Sequence, residues 1–138
     1  MSYLETPTRY ITVNNQKIAY RELGEGNSDI PLVMLVHLAA TMDDWDPKLL
    51  DLLAEREHVI VMDLPGVGSS EGSVATTIPG MAHQAAEIIQ ALGYQKVNLL
   101  GLSMGGMIAQ EVVRAYPTLV NRLALVGTGP RGGAGIDA

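Results

Sequence analysis

Two hydrophobic rhythms alternate along this chain, one with a period of two or an unbroken apolar run, the other with helical spacing. Tyr10–Val13 and Lys17–Arg21 alternate apolar and polar residues around Asn14-Asn15, which predicts a half-exposed antiparallel hairpin. Gly24–Ser28 reads as a loop. Leu32–Val36 is a continuous apolar run, the composition of a parallel strand buried on both faces. Asp46-Pro47 then offers an N-cap followed by proline at the first helical position, with Leu49, Leu50, Leu52 and Leu53 as the apolar stripe. Val59–Met62 is the next buried strand. Thr76 or Thr77 caps a helix whose apolar face is Met81, Ala85, Ile88, Ile89 and Leu92, and Gly93 is its stop signal. Lys96–Leu102 reads as a strand, Met104–Tyr116 as a helix halted by Pro117, and Arg122–Val126 as a last strand.

Strands that alternate with helices in this way build a mainly parallel sheet covered on both faces. The expected fold is a three-layer α/β/α sandwich with an N-terminal antiparallel hairpin. Active groups in such sheets gather at the carboxyl ends of the strands, where His37, Asp63, Ser103 and Gly127 fall. Residues 1–127 form one expected unit, and the glycine-rich stretch 128–138 is expected to be a flexible tail.

Composition narrows the function classes. At 138 residues the chain suits one domain, and 47% hydrophobic residues with seven methionines and no phenylalanine imply an aliphatic, adaptable core. A net charge of −6 without a basic run argues against nucleic acid or an anionic membrane surface as partner. The absence of cysteine excludes disulfides and thiolate metal sites. Met1–Pro7 has no apolar signal core and no apolar run approaches the length of a membrane span, so a soluble cytoplasmic protein without cofactor or metal is the expectation.

The chemistry centres on Gly101-Leu102-Ser103-Met104-Gly105-Gly106, where strand character gives way to helical spacing. An abrupt strand-to-helix turn forces its turn residue into a strained conformation, tolerable only if the residues two before and two after lack bulk. Gly101 and Gly105 meet that need. Ser103 is then lifted clear of the sheet edge as a nucleophile, and the Met104 N–H at the positive end of the helix lies where an oxyanion would develop. Phosphate-loop readings fail on chemistry. Gly101 and Gly106 have the right spacing, but Met107 stands where the phosphate-binding lysine is needed, and a dinucleotide turn would need glycine at Ser103. Asp63 opens the turn-rich loop Asp63-Leu64-Pro65-Gly66-Val67-Gly68-Ser69-Ser70 and reads as a carboxylate that organises backbone.

With the Ser103 elbow, Val36-His37 with Trp45 beyond it, the loop Asp63–Ser70 and the helix leading to Ala91-Leu92-Gly93-Tyr94, the sequence resembles the N-terminal half of an α/β-hydrolase. It is most similar to the branch of single-domain esterases, enol-lactonases and cofactor-free haloperoxidases. The resemblance implies a serine-dependent hydrolase that cleaves a small ester, lactone or related acyl substrate through an acyl-enzyme. It implies Ser103 as nucleophile and an oxyanion hole made by the backbone N–H groups of Met104 and of Ala39, with Leu38 the alternative to Ala39 as second donor. The family's usual His-Gly is here His37-Leu38-Ala39, and leucine in place of glycine narrows the backbone. Leu38, Trp45 and Met107 are candidate walls of an apolar pocket, with Trp45 equally readable as core.

The family supplies the histidine base and its orienting carboxylate from loops after later strands, and the resemblance covers none of those. His37 matches the family's structural strand-end histidine, His58 precedes a strand, His83 lies in a helix, and Asp137 sits in the glycine-rich tail. The chain therefore reads as a truncated hydrolase, weak or inactive alone. A non-catalytic binding or self-assembling module built from the half-fold is the alternative. Because Leu123-Ala124-Leu125-Val126 has no charge, proline or glycine, the strand Arg122–Val126 is expected to be an open edge. It would pair with a second copy of the chain or with a missing C-terminal half.

Overall fold

The structure, a computed structural model, describes residues 3–35, 41–42 and 45–126. It contains β1 (Arg9–Val13), β2 (Gln16–Leu23), β3 (Leu32–Leu35), α1 (Pro47–Ala54), β4 (Val59–Met62), α2 (Ile78–Ala91), β5 (Val97–Leu102), α3 (Met104–Ala115) and β6 (Val120–Val126). A 3₁₀ turn at Tyr3–Glu5, which the hydrophobic pattern does not announce, precedes them. The strands form one sheet in the order β1-β2-β4-β3-β5-β6. β1 and β2 are antiparallel, β2 is antiparallel to β4, and β3 pairs in parallel with both β4 and β5. β6 extends the parallel part beside β5.

Period-two alternation divides the core. Ile60 and Met62 of β4, Val33 and Leu35 of β3, and Val97 and Leu99 of β5 face α2 and α3, where they meet Met81, Ile88, Ile89, Ile108 and Val112. Val59, Val61 and Met34 face the other way, onto Tyr3, Trp45 and Leu50. The unbroken apolar runs are needed because both sheet faces are covered. At the hairpin, Asn14 and Asn15 take positive φ (52° and 65°), the backbone of a two-residue turn whose twist matches its strands.

Helix ends follow local chemistry. The Asp46 side chain accepts the Lys48 N–H at 3.0 Å, and Thr77, rather than Thr76, caps α2 by accepting the Gly80 N–H at 3.0 Å. Gly93, at φ 96°, follows the end of α2. α3 stops at Ala115, one residue earlier than its spacing suggests, because Pro117 disfavours helical backbone at the residue before it. β6 starts at Val120, before Arg122, through the pairing of Val97 with Val120 and a bulge at Val97/Asn98.

The leucine stripe of α1 is narrower than expected. Leu50 is fully buried and Leu53 and Ala54 pack beside it, whereas Leu49 is 40% and Leu52 64% exposed. Adjacent helical residues are about 100° apart, so two leucine pairs cannot all face one sheet. None of the helices among the described residues is long and apolar enough to cross a membrane.

Candidate active site

The parallel strands β3, β4, β5 and β6 point the same way, so their carboxyl ends share one edge of the sheet. Ser103 stands at that edge, between the last residue of β5 and the first of α3, with φ 58° and ψ −123°. This is a region that residues with a Cβ rarely occupy. A serine directly before a helix ordinarily has extended backbone and turns its hydroxyl back onto the second or third helical N–H. Ser103 has the opposite sign of φ and makes no such bond. Its side chain is exposed, and among the described residues Oγ has no hydrogen-bond partner.

The backbone holds that conformation from both sides. The Ser103 N–H donates to the Val126 carbonyl at 3.1 Å, tying the turn to the end of β6, and the Ser103 carbonyl accepts the Gly106 N–H at 3.0 Å. The Met104 N–H, first in α3, meets no acceptor among the described residues. It belongs to the group of N–H donors that every helix leaves open at its start, and the helix dipole adds positive potential there. An oxygen acquiring negative charge beside Ser103 would meet both.

Close approach explains the glycine at 101. A Cβ there would lie 2.6 Å from the Gly105 carbonyl oxygen and 2.7 Å from the Gly106 nitrogen, inside the first turn of α3. Only a bare Cα at 101 lets the helix begin this close to the strand.

Asp63, at the end of β4, is a buried carboxylate with its oxygens committed to backbone. Oδ1 accepts the Met42 N–H at 2.8 Å and Oδ2 the Ser69 N–H at 3.1 Å. The Ser70 hydroxyl donates to the Asp63 carbonyl at 2.6 Å and accepts the Ala19 N–H at 2.8 Å. Asp63 thus fastens the loop after β4 to β2 and to the segment that enters α1. Its organising role is legible from the turn-rich sequence, but its partner Met42 is not, because no local spacing links positions 42 and 63.

His37, Leu38, Ala39, Gly127 and Asp137 lie outside the described residues. Trp45 packs in the core with Tyr3, Met34, Met42 and Leu50, which is the core alternative for that residue; Met104 and Met107 are half-buried beside Ser103 in sequence. Two histidines are placed, and neither is near the elbow. His58 directly precedes β4 at the amino edge of the parallel strands, about 13 Å of strand away from the carboxyl edge. It is buried, its carbonyl accepts the Leu32 N–H at 2.7 Å, its ring meets Tyr94 edge-on, and Nε2 stands 3.5 Å from Glu22. His83 contacts Tyr116 at the far end of α3, about 18 Å from Ser103 along a helix of 12 residues.

The strand-turn-helix geometry agrees with the comparison to known families. The family profile described as "alpha/beta hydrolase fold" matches residues 31–135. The chain belongs to the α/β-hydrolase family. This α/β-hydrolase is 34% identical over 114 residues to the (E)-2-((N-methylformamido)methylene)succinate hydrolase of Acinetobacter baylyi, a match that covers 82% of the chain and 42% of that relative. Among solved structures it resembles an alpha/beta hydrolase fold protein from Chitinophaga pinensis, with TM-score 0.91 and 37% identity, over 95% of this chain and 47% of the other. It also resembles the enol-lactonase from Burkholderia xenovorans, with TM-score 0.75 and 27% identity, over 87% and 46%. The α/β-hydrolase chain therefore spans less than half the length of each of these three proteins.

Proposed function

We propose that this chain carries the nucleophile and part of the oxyanion hole of a serine hydrolase that cleaves small esters, lactones or related acyl compounds through an acyl-enzyme. The observation that carries the reading is the backbone of Ser103, at φ 58° between β5 and α3. That strain turns the hydroxyl outward while the open Met104 N–H stays beside it. In the first step Ser103 Oγ attacks the acyl carbon, and the carbonyl oxygen takes up negative charge against the Met104 N–H and a second donor, for which Ala39 is the proposed residue. The alcohol leaves, and water later releases the acid. The names of the Acinetobacter and Burkholderia relatives, a hydrolase and an enol-lactonase, support acyl chemistry of this kind.

Serine needs a proton acceptor, and His58 and His83 stand far from Ser103. The base is therefore proposed to come from outside the described residues, and the 138-residue chain alone is expected to turn over activated esters feebly. Oxyanion and binding contributions without the base amount to about 10³–10⁴-fold over water at best. Fluorophosphonate labelling tests the assignment. Label is expected on Ser103 in the tryptic peptide Val97–Arg114, faster when imidazole in solution supplies the acceptor, and absent from Ser103→Ala. A Ser103 that stays unlabelled even with imidazole overturns the reading, and robust turnover by the isolated chain refutes the missing base.

A further inference from the structure

The hairpin turn, α2 and the end of α3 are joined by a series of polar side chains remote from Ser103. Asn14 Nδ2 donates to Glu87 Oε2 at 2.9 Å, which fixes the carboxylate from the β1–β2 turn. The other oxygen, Glu87 Oε1, stands 3.2 Å from His83 Nε2, one turn earlier on α2. His83 Nδ1 in turn lies 2.5 Å from the Tyr116 hydroxyl. In the neutral imidazole these neighbours select one tautomer: with the Nε2 proton toward the carboxylate, Nδ1 keeps its lone pair and the Tyr116 O–H donates to it. Carboxylate, imidazole and hydroxyl then follow one another in the order that activates an oxygen nucleophile.

Tyr116 also faces a space a ligand can enter. A cleft of about 610 Å³ opens between the ends of α2 and α3, walled by Tyr116, Tyr94, Gln90, Gln95, Pro117 and Thr118, none of which carries a charge at neutral pH. Tyr94 shares the cleft but differs in setting. Its ring packs edge-on against His58, and burial first, then the charges of Glu22 and Glu25, raise its phenol above the ordinary range, so it holds its proton more firmly.

We infer that Tyr116 is an acyl-accepting hydroxyl, served by His83 and oriented through Glu87 and Asn14, that reacts with uncharged activated aryl esters entering this cleft. The phenolic oxygen attacks the ester carbonyl carbon as its proton passes to His83 Nδ1. The new bond joins Tyr116 O to the acyl carbon, the acyl–O(aryl) bond breaks, and the departing phenoxide takes the proton from His83. The product is an aryl ester on Tyr116 and a free phenol, with no change of oxidation state. The uncharged walls, and the net charge of −6 on the chain, favour a neutral reagent over an anionic one.

The test uses the full chain carrying Ser103→Ala, so that chemistry at the elbow cannot contribute. It is treated with p-nitrophenyl acetate, and acetylation of each tyrosine is followed by mass spectrometry of tryptic peptides; Tyr116 falls in Ala115–Arg122. Tyr116 is expected to acetylate about tenfold or more faster than Tyr94 and than Tyr10, which is 53% exposed on β1. His83→Ala should bring Tyr116 down to the rate of Tyr10, and Glu87→Gln should slow it several-fold. Equal rates at Tyr116 and Tyr10 overturn the proposal, as does a Tyr116 rate indifferent to His83→Ala in folded protein. The comparison between tyrosines decides the matter even if the histidine variant does not fold.

Discussion

Ser103 can face outward only because its neighbours give up bulk. Gly101 is the sharper of these requirements, since the first turn of α3 fills the place of its missing Cβ. Gly101→Ala is therefore expected to destabilise the chain by about 1–3 kcal/mol, the usual cost of forcing a methyl group into packed structure, and urea denaturation measures it. The same substitution should move α3 off β5 and lower the rate of Ser103 labelling. A variant as stable as the parent would show that the helix start is not close-packed against the strand. The glycine-x-serine-x-glycine spacing makes this position conspicuous in the sequence, but only the distances to Gly105 and Gly106 show that it is a matter of contact rather than of turn conformation.

The loop after β4 is an element held by one carboxylate. Asp63 takes backbone N–H groups from Met42 and Ser69, so it sets the loop and the approach to α1 together. Gly68, at φ 53°, packs against that carboxylate so closely that any side chain there would displace it. Asp63→Ala leaves the buried Met42 N–H and the partly buried Ser69 N–H without their acceptor, at a cost on the order of 3 kcal/mol. Thermal melting should register the loss. Hydrogen exchange should show faster exchange at Met42 and Ser69 than in the parent, while the amides of α2 keep their protection relative to global unfolding. Unchanged exchange at both residues would mean that the carboxylate is not what orders these segments.

At the scale of the whole molecule, β6 is the outermost strand of the sheet among the described residues. Every residue from Asn121 to Val126 is exposed, Leu125 at 41%, and among the described residues no strand lies on its outer side. An apolar edge with free N–H and C=O groups is a template for another chain, and a two-fold contact between copies would set the strands antiparallel. Sedimentation velocity of the 138-residue chain at micromolar concentration is expected to show association, which Leu125→Lys weakens by charging the edge. A compact monomer at that concentration refutes the expectation. The edge also bears on the site, because the Val126 carbonyl that accepts the Ser103 N–H is at the end of the same strand.

The succession of strands and helices was determined by the sequence alone, because apolar periodicity, caps and glycine or proline stops act over a few neighbouring residues. The Ser103 turn was legible for the same reason: its requirements fall within the six residues from Gly101 to Gly106. Tertiary structure decided what depends on which surfaces meet. It chose Leu50 over Leu49 and Leu52 for the core, since only one side of α1 reaches the sheet. It placed Trp45 in the core, joined Asp63 to Met42, and sent His58 and His83 away from Ser103. The series Asn14, Glu87, His83 and Tyr116 spans three elements and more than a hundred positions of chain, and only packing of α2 between the hairpin and the end of α3 brings its members within hydrogen-bonding reach.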